Sequence, residues 1–280
     1  MNIYMDKSFL QSRYPIICAS MNQVSDFKLT CAAAEAGITP CILPQQITEQ
    51  ELNTYLTMYS NTNIILSYDA KKLIHNKPYI NPNVKYIELF ALRSLSSIEL
   101  EELKFITKNL SKTKKIILKD NISFPIYYDA LLLQGKESAG AGSQEPIHDI
   151  FNHCKYKKVI VSGAIDTPEK VEYYIKNGAL AVSIGTLFAA SQESKLSNAA
   201  KDMLIASNSQ QLQKVGPAKK QGLIFNPSTN DPYNFTDSLK RGIQQPLDGI
   251  IYCGFSVDKI QTILPISSIV ENLTRNIDNI

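Results

Sequence analysis

The chain has 280 residues, of which 44% are apolar and 20% charged, with a formal net charge of +3. That length suits one α/β barrel, a fold that takes about 250 residues, and so small a net charge makes no case for nucleic acid or an anionic membrane surface as a partner. Five scattered cysteines (Cys18, Cys31, Cys41, Cys154 and Cys253) form no CxxC pair, which argues against a zinc site or a disulfide framework and for a reducing cytoplasm.

Short apolar runs alternate with helical patterns over the first two-thirds of the chain. Tyr14–Ala19 is the first run. A helix from Asp26 to Ala36 follows, with Ser25 or Asp26 as its N-cap and Gly37 at its stop. Pro40–Leu43 is the second run, after which Thr48 and Glu51 form a capping box that opens a helix. Asn63–Ser67 and Val84–Leu89 are the third and fourth runs, and a long amphipathic helix covers about Ser96 to Asn109. Lys115–Leu118, Ala130–Gln134, Lys158–Val161 and Ala181–Ile184 complete a set of eight. Between the fifth and sixth, Phe124–Tyr128 leaves room for only a vestigial helix.

Runs this short and apolar at nearly every position are parallel strands covered on both faces. Eight of them with helical crossovers predict a (β/α)8 TIM barrel, with a doubly wound open sheet as the structural alternative. Residues 1–195 form the barrel core in this reading. Residues 196–280 form a helical and loop appendage that completes the same domain. In it Ala199–Ala206 is helical, Gly216–Pro246 is rich in Pro, Asn and Gly, and Ile260–Asn272 is a terminal helix broken by Pro265. Basic clusters at Lys112, Lys114 and Lys115 and at Lys155, Lys157 and Lys158 read as solvated helix-to-strand loops, and Lys219 and Lys220 form a third. Asp6, Lys7 and Arg13 interrupt any apolar signal segment, and the apolar stretch Ala179–Ala190 is too short to span a bilayer. No metal site is expected.

Three loop segments stand at the C-terminal ends of predicted strands, where barrel sites are built. Gln134–Ser143 is rich in small residues that let backbone approach a ligand, and the Gln134 amide offers both donor and acceptor to a heteroaromatic ring. Ser162–Gly163–Ala164–Ile165 leads into a helix that carries Pro168 in its first turn, a junction suited to an anion. Ser183–Ile184–Gly185–Thr186 does the same after the eighth strand. Taken alone, the first reads also as a flexible surface loop, and each of the other two equally as a plain capped βα turn. Together they predict a phosphate site between the seventh and eighth loops.

These segments resemble the FMN-dependent nitronate monooxygenases (2-nitropropane dioxygenases) and the related flavin-dependent enoyl-acyl-carrier-protein reductases. The resemblance rests on Pro15–Met21 with Ala32–Gly37, on Gln134–Gly–Lys–Glu137 against a QGxE turn, on Ser162–Ile165 against a GGI turn, and on Ile184–Ser194 against an MGTRFxxxxES block. It implies a barrel that holds FMN non-covalently, with NAD(P)H as a candidate reductant. Ala19, Ser20 and Met21 would line the isoalloxazine and Gln134 would contact the ring. Gly140, Gly163, Ala164, Ser183, Ile184, Gly185 and Thr186 would contribute to the phosphate and ribitol site.

The departures are specific. The histidine that ends the family's QGxEAGGH pattern is Ala141 here, and the first glycine of its pair is Ala139. The second glycine of GGI is Ala164, the arginine of GTRF is Leu187, and Ser67 is the candidate for an asparagine expected after the third strand. A general base must reach its proton, and alanine cannot. Of the histidines, His75 is expected in a polar loop, and His148 and His153 on the outer face of the helix after strand six. Lys136 and Glu137 are the nearest titratable groups. No catalytic residue is assigned. The sequence therefore carries two readings. One is an FMN-dependent oxidoreductase that oxidises a small organic substrate or reduces an enone. The other is a degenerate, non-catalytic barrel that binds FMN or another phosphate ligand. Oligomeric state, including a homo-oligomer, stays open.

Overall fold

The computed structural model describes residues 9–140, 142–215, 220–224 and 235–277. Eight parallel strands close into a barrel in sequence order: β1 Ile16–Cys18, β2 Thr39–Ile42, β3 Ile65–Asp69, β4 Tyr86–Phe90, β5 Lys115–Lys119, β6 Ala130–Gln134, β7 Val159–Ser162 and β8 Ala181–Ile184. Closure is made by β1 against β8, with Ile17 opposite Ser183 and Cys18 opposite Ile184. This decides for the closed barrel over the open sheet.

The crossovers are α1 Phe27–Glu35, α2 Glu49–Met58, α3 Ala70–Asn76, α4 Ser97–Leu110, α5 Ile147–His153 and α6 Pro168–Lys176, and α7 Thr186–Ala189 follows the last strand. Asp26 is the N-cap of α1, and Thr48 with Glu51 makes a complete capping box on α2. No helix separates β5 from β6. His75 is not in a loop. It lies in the last turn of α3, a short helix capped by Asp69, which buries Ala70, Leu73 and Ile74, and its Nε2 lies 3.1 Å from Glu99. Lys114 also departs from the solvated reading. It is buried, and its ammonium donates to the carbonyls of Val84 at 2.7 Å and Asn81 at 3.0 Å. A lysine can go under when its donors meet fixed carbonyls at a loop end.

The barrel interior is filled by Ile17, Cys41, Ile65, Tyr86, Ile117, Leu132, Ile160 and Ala181. Phe9 and Leu10 plug its N-terminal end, where the Tyr86 hydroxyl donates to the Phe9 carbonyl. A larger apolar layer lies between the strands and the helix ring. Each branched side chain buried there contributes about 1.5–3 kcal/mol.

The appendage carries α8 Asn198–Ala206, β9 Gln213–Val215, β10 Lys220–Ile224, α9 Phe235–Gln244, β11 Ile250–Ile251 and α10 Ile266–Thr274. Its three strands form an antiparallel sheet in the order β11-β10-β9, where a helical and loop structure was expected. Strands of two to five residues flanked by Gly and Pro leave too little alternation to be read. Pro265 is the N-cap of α10 rather than a break inside it.

Candidate functional site

The alternation of a strand defines the floor of the site. Residues two positions beyond the interior layer point the same way, toward the barrel axis at its C-terminal end. These are Ala19, Leu43, Ser67, Glu88, Lys119, Gln134, Ser162 and Ser183, one from each strand end. Six of the eight are polar, although barrel interiors are ordinarily packed with branched apolar side chains. Glu88 is 3% exposed and Lys119 19%, with their charged atoms 3.6 Å apart. The Ser67 hydroxyl donates to Glu88 Oε1 at 2.6 Å, and the Ser20 hydroxyl reaches the same oxygen at 3.5 Å. Beneath them Cys41 is buried, and burial pushes its thiol well above the usual range. Cys18 is pushed up to about 12 for the same reason, so neither is poised as a nucleophile.

Sequence reasoning missed Glu88 and Lys119. Each is a charge set against apolar neighbours in its strand, Glu88 between Ile87 and Leu89 and Lys119 directly after Leu118, but its partner shows only when the strands lie side by side. A charge is not left in a buried strand without a partner or a use.

The loops above this floor are held rigidly. After β1, Met21 and Ser25 carbonyls both accept from the Gln46 side-chain amide, at 3.0 and 2.9 Å, which fixes the turn that carries Ser20 and Met21. After β5, Asn121 takes both backbone groups of Gln134: its amide donates to the Gln134 carbonyl at 2.8 Å and its oxygen accepts from the Gln134 N–H at 2.7 Å. Asn121 thus extends the β5–β6 ladder by one side chain and holds Gln134 in place. Beside it Asp120 pairs with Arg93 at 2.6 Å on the rim.

The glycine-rich loop after β6 is stitched from both sides. Glu137 is not directed at the cavity, since its carboxylate accepts from the Ile147 N–H at 3.1 Å and caps α5. Gly140 exchanges backbone hydrogen bonds with Gln221 of β10, and the Gln221 amide reaches the Ser138 carbonyl at 3.2 Å. The N–H of Gly140 is therefore already used within the chain. Ala141 lies outside the described residues. Gly254, unremarked in the sequence, joins three segments. Its N–H donates to the Thr186 hydroxyl at 2.9 Å, and its neighbour Phe255 donates to the Glu137 carbonyl at 2.9 Å.

After β7, Gly163 adopts φ +135° with its face against the Ser138 hydroxyl, where a Cβ would come within 2.9 Å. Ala164 adopts φ +48°, the left-handed region that glycine occupies freely and alanine at a cost of about 1–2 kcal/mol. Lys170 clips this turn by donating to the Ala164 carbonyl at 2.8 Å. After β8, Gly185 and Thr186 open α7, whose first-turn N–H groups have no intrahelical acceptor. Glu193 and Ser194, the end of the most specific block of the resemblance, serve the fold. Glu193 accepts from Ile266 at the start of α10, and Ser194 donates to the Ala189 carbonyl.

A cavity of about 1320 Å³ opens above the floor. Ser20, Met21, Gln134, Gly140, Gly185 and Thr186 line it, Ala19 and Ser183 lie at the strand ends beneath it, and Gly163, Ala164 and Ile184 are not part of its lining. One side is polar and charged, with Asp69, Arg93, Lys119, Asp120 and Asn121. The opposite side is apolar and belongs to the appendage, with Leu196, Leu239, Ile243, Ile250 and Ile251. His153 is exposed and borders the outer rim, while His148 is exposed on α5. Among the described residues, no group of three or more His, Cys, Asp or Glu side chains is arranged to hold a metal ion, and no helix is long and apolar enough to cross a membrane.

Solved structures share this architecture. FabK from Thermotoga maritima superposes with a TM-score of 0.74 at 18% identity, over 98% of this chain and 96% of that one. The nitroalkane oxidase from Streptomyces ansochromogenes gives 0.70 at 16% identity, over 98% of both chains. The enoyl reductase domain of MlnA, from the macrolactin biosynthesis cluster of Bacillus amyloliquefaciens, gives 0.66 at 13% identity, again over 98% of both. The chain has their fold. The enoyl reductase and the nitroalkane oxidase lie where the sequence resemblance pointed. No family model matches the sequence, and no curated protein matches it significantly.

Proposed function

We propose that this chain is an FMN-binding oxidoreductase and that the cavity holds the cofactor together with a second, small-molecule substrate. The observation that carries the reading is the set of polar side chains Ser20, Lys119 and Gln134 lining the bottom of a cavity of about 1320 Å³. Pockets for one small ligand take about 300–1,000 Å³, so there is room for a flat heteroaromatic ring and a partner above it. The donor set fits such a ring. Gln134 offers an amide, Lys119 a cation, and Ser20 a hydroxyl. Gly185 and Thr186 stand at one end with backbone suited to the phosphate, as the resemblance implies.

When bound, FMN supplies the two-electron chemistry. This chain's own residues orient and shield it. Asn121 and Gln46 fix the residues that contact the ring. The apolar wall of Leu239, Ile243 and Ile251 excludes water and suits an aliphatic substrate. That wall, and Ala141 in place of the family's histidine, favour enone reduction over nitronate oxidation. NAD(P)H is the proposed reductant. The alternative, a barrel that binds FMN without turnover, is favoured by the same alanine and by the use of the Gly140 N–H within the chain.

Anaerobic mixing with NADH or NADPH tests the reading. The bound flavin is expected to bleach and an aliphatic enone, as electron acceptor, to restore its colour, whereas a nitronate, an electron donor, added to the oxidised protein is expected to bleach it more slowly than the nucleotide does. Flavin that stays oxidised with both nucleotides and with a nitronate would leave only the non-catalytic reading standing.

A further inference from the structure

We infer that Glu88 is a positioning residue that holds Lys119 and sets the charge of the cavity floor, and thereby the ease with which a bound flavin takes up electrons; this rests on the flavin reading above. The carboxylate does not line the cavity and is too buried to meet a substrate. Its partners are two floor residues, Ser67 at 2.6 Å and Lys119 at 3.6 Å, and Ser20 of the turn above at 3.5 Å. Lys119 does line the cavity, beside Gln134 and Ser20. The floor therefore presents one cation to the cavity with its neutralising carboxylate directly behind it.

Neither charge is explained by packing. A buried pair is weak evidence of stability, because desolvation offsets most of its attraction. The surrounding interior, Ile65, Tyr86 and Ile117, would accept apolar residues at both positions. What the pair does provide is control. Reduction adds electrons to the ring system, so a nearby positive charge favours it and a negative charge opposes it, strongly where water is excluded. Glu88 moderates a cation that would otherwise act at full strength. It also holds the ammonium by charge at 3.6 Å, while Ser67 fixes the carboxylate by a hydrogen bond.

The test is the two-electron potential of the FMN-loaded protein, measured by equilibration with a reference dye, together with FMN affinity. Glu88→Gln keeps the shape and removes the charge. It is expected to favour reduction about tenfold, which is about 30 mV for a two-electron couple, with FMN affinity within about threefold. Lys119→Met is expected to shift the potential the other way. In the Lys119→Met background, Glu88→Gln is expected to change little, because an unpaired buried carboxylate takes up a proton instead. Ser67→Ala, a milder change, is expected to move the potential in the same direction as Glu88→Gln by a smaller factor. A yellow Glu88→Gln protein whose reduction equilibrium is within twofold of the wild type overturns this inference alone. A wild-type protein that takes up no FMN overturns it together with the functional reading.

Discussion

Replacing Gly254 with alanine tests whether the appendage and the barrel form one site. A Cβ built at Gly254 lies 2.4 Å from the Glu137 carbonyl oxygen and 2.7 Å from the Ala139 nitrogen. Both are backbone atoms of the β6 loop and cannot swing aside. Normal contact therefore requires the two segments to part by several tenths of an ångström or more. Overpacking of this kind costs about 1–3 kcal/mol. For a domain this large, each kcal/mol moves the melting temperature by about 2–4 °C, so Gly254→Ala is expected to melt about 2–12 °C lower. The same movement strains the bonds from Gly254 to Thr186 and from Phe255 to Glu137, and FMN affinity is expected to fall at least about tenfold.

Gly185→Ala is the contrast. Its Cβ meets only Ala19 and Met21 side chains, at 3.7 Å, an ordinary contact. Its melting temperature is expected to stay near the wild type while FMN affinity falls, because the new methyl enters the cavity wall. Thermal denaturation and FMN titration of both variants decide the matter. Wild-type stability in Gly254→Ala, or wild-type affinity in both, would refute the reasoning.

Three further outcomes follow from the same structure. Asn121→Ala removes both hydrogen bonds that hold Gln134, so it is expected to cost about 1–3 kcal/mol and to broaden the visible spectrum of bound flavin, read by absorbance and melting. Ala164→Gly relieves the left-handed alanine at φ +48° and is expected to raise the melting temperature by a degree or two, offset in part by the greater freedom of glycine when unfolded. Glu99, which caps α4 through Ser96 and pairs with Lys71, is held down at about 2, the cap being the larger cause. A depressed carboxyl stabilises the fold above its unfolded pKa, and the contribution is lost as pH falls through the folded one. The difference in melting temperature between wild type and Glu99→Gln is therefore expected to be full at neutral pH and to close between pH ~4.5 and ~2.

The barrel was legible because its strands are apolar runs of fixed length with capped helices between them. Thr48 with Glu51, Asp26 and the missing β5–β6 helix could all be read from local chemistry. The appendage was not legible. The two residues of β11 and the three of β9 gain their partners from β10, and no local pattern announces a pairing made across the chain. The site divides the same way. Gln134, Ser20, Gly185 and Thr186 stand at strand ends, where position alone marks them. Glu88, Lys119 and Asn121 acquire meaning only when β3, β4, β5 and β6 are brought side by side. Lys114 and Glu137 show the reverse, since charged residues that look available from sequence are committed to carbonyls and a helix cap.

The most direct test of the central claim is an FMN titration of the purified chain, followed by the visible absorbance and fluorescence of the flavin. Saturation is expected at one FMN per chain, with affinity weakened in Gly185→Ala and the spectrum altered in Gln134→Ala. A colourless protein that leaves added FMN free in solution would contradict it.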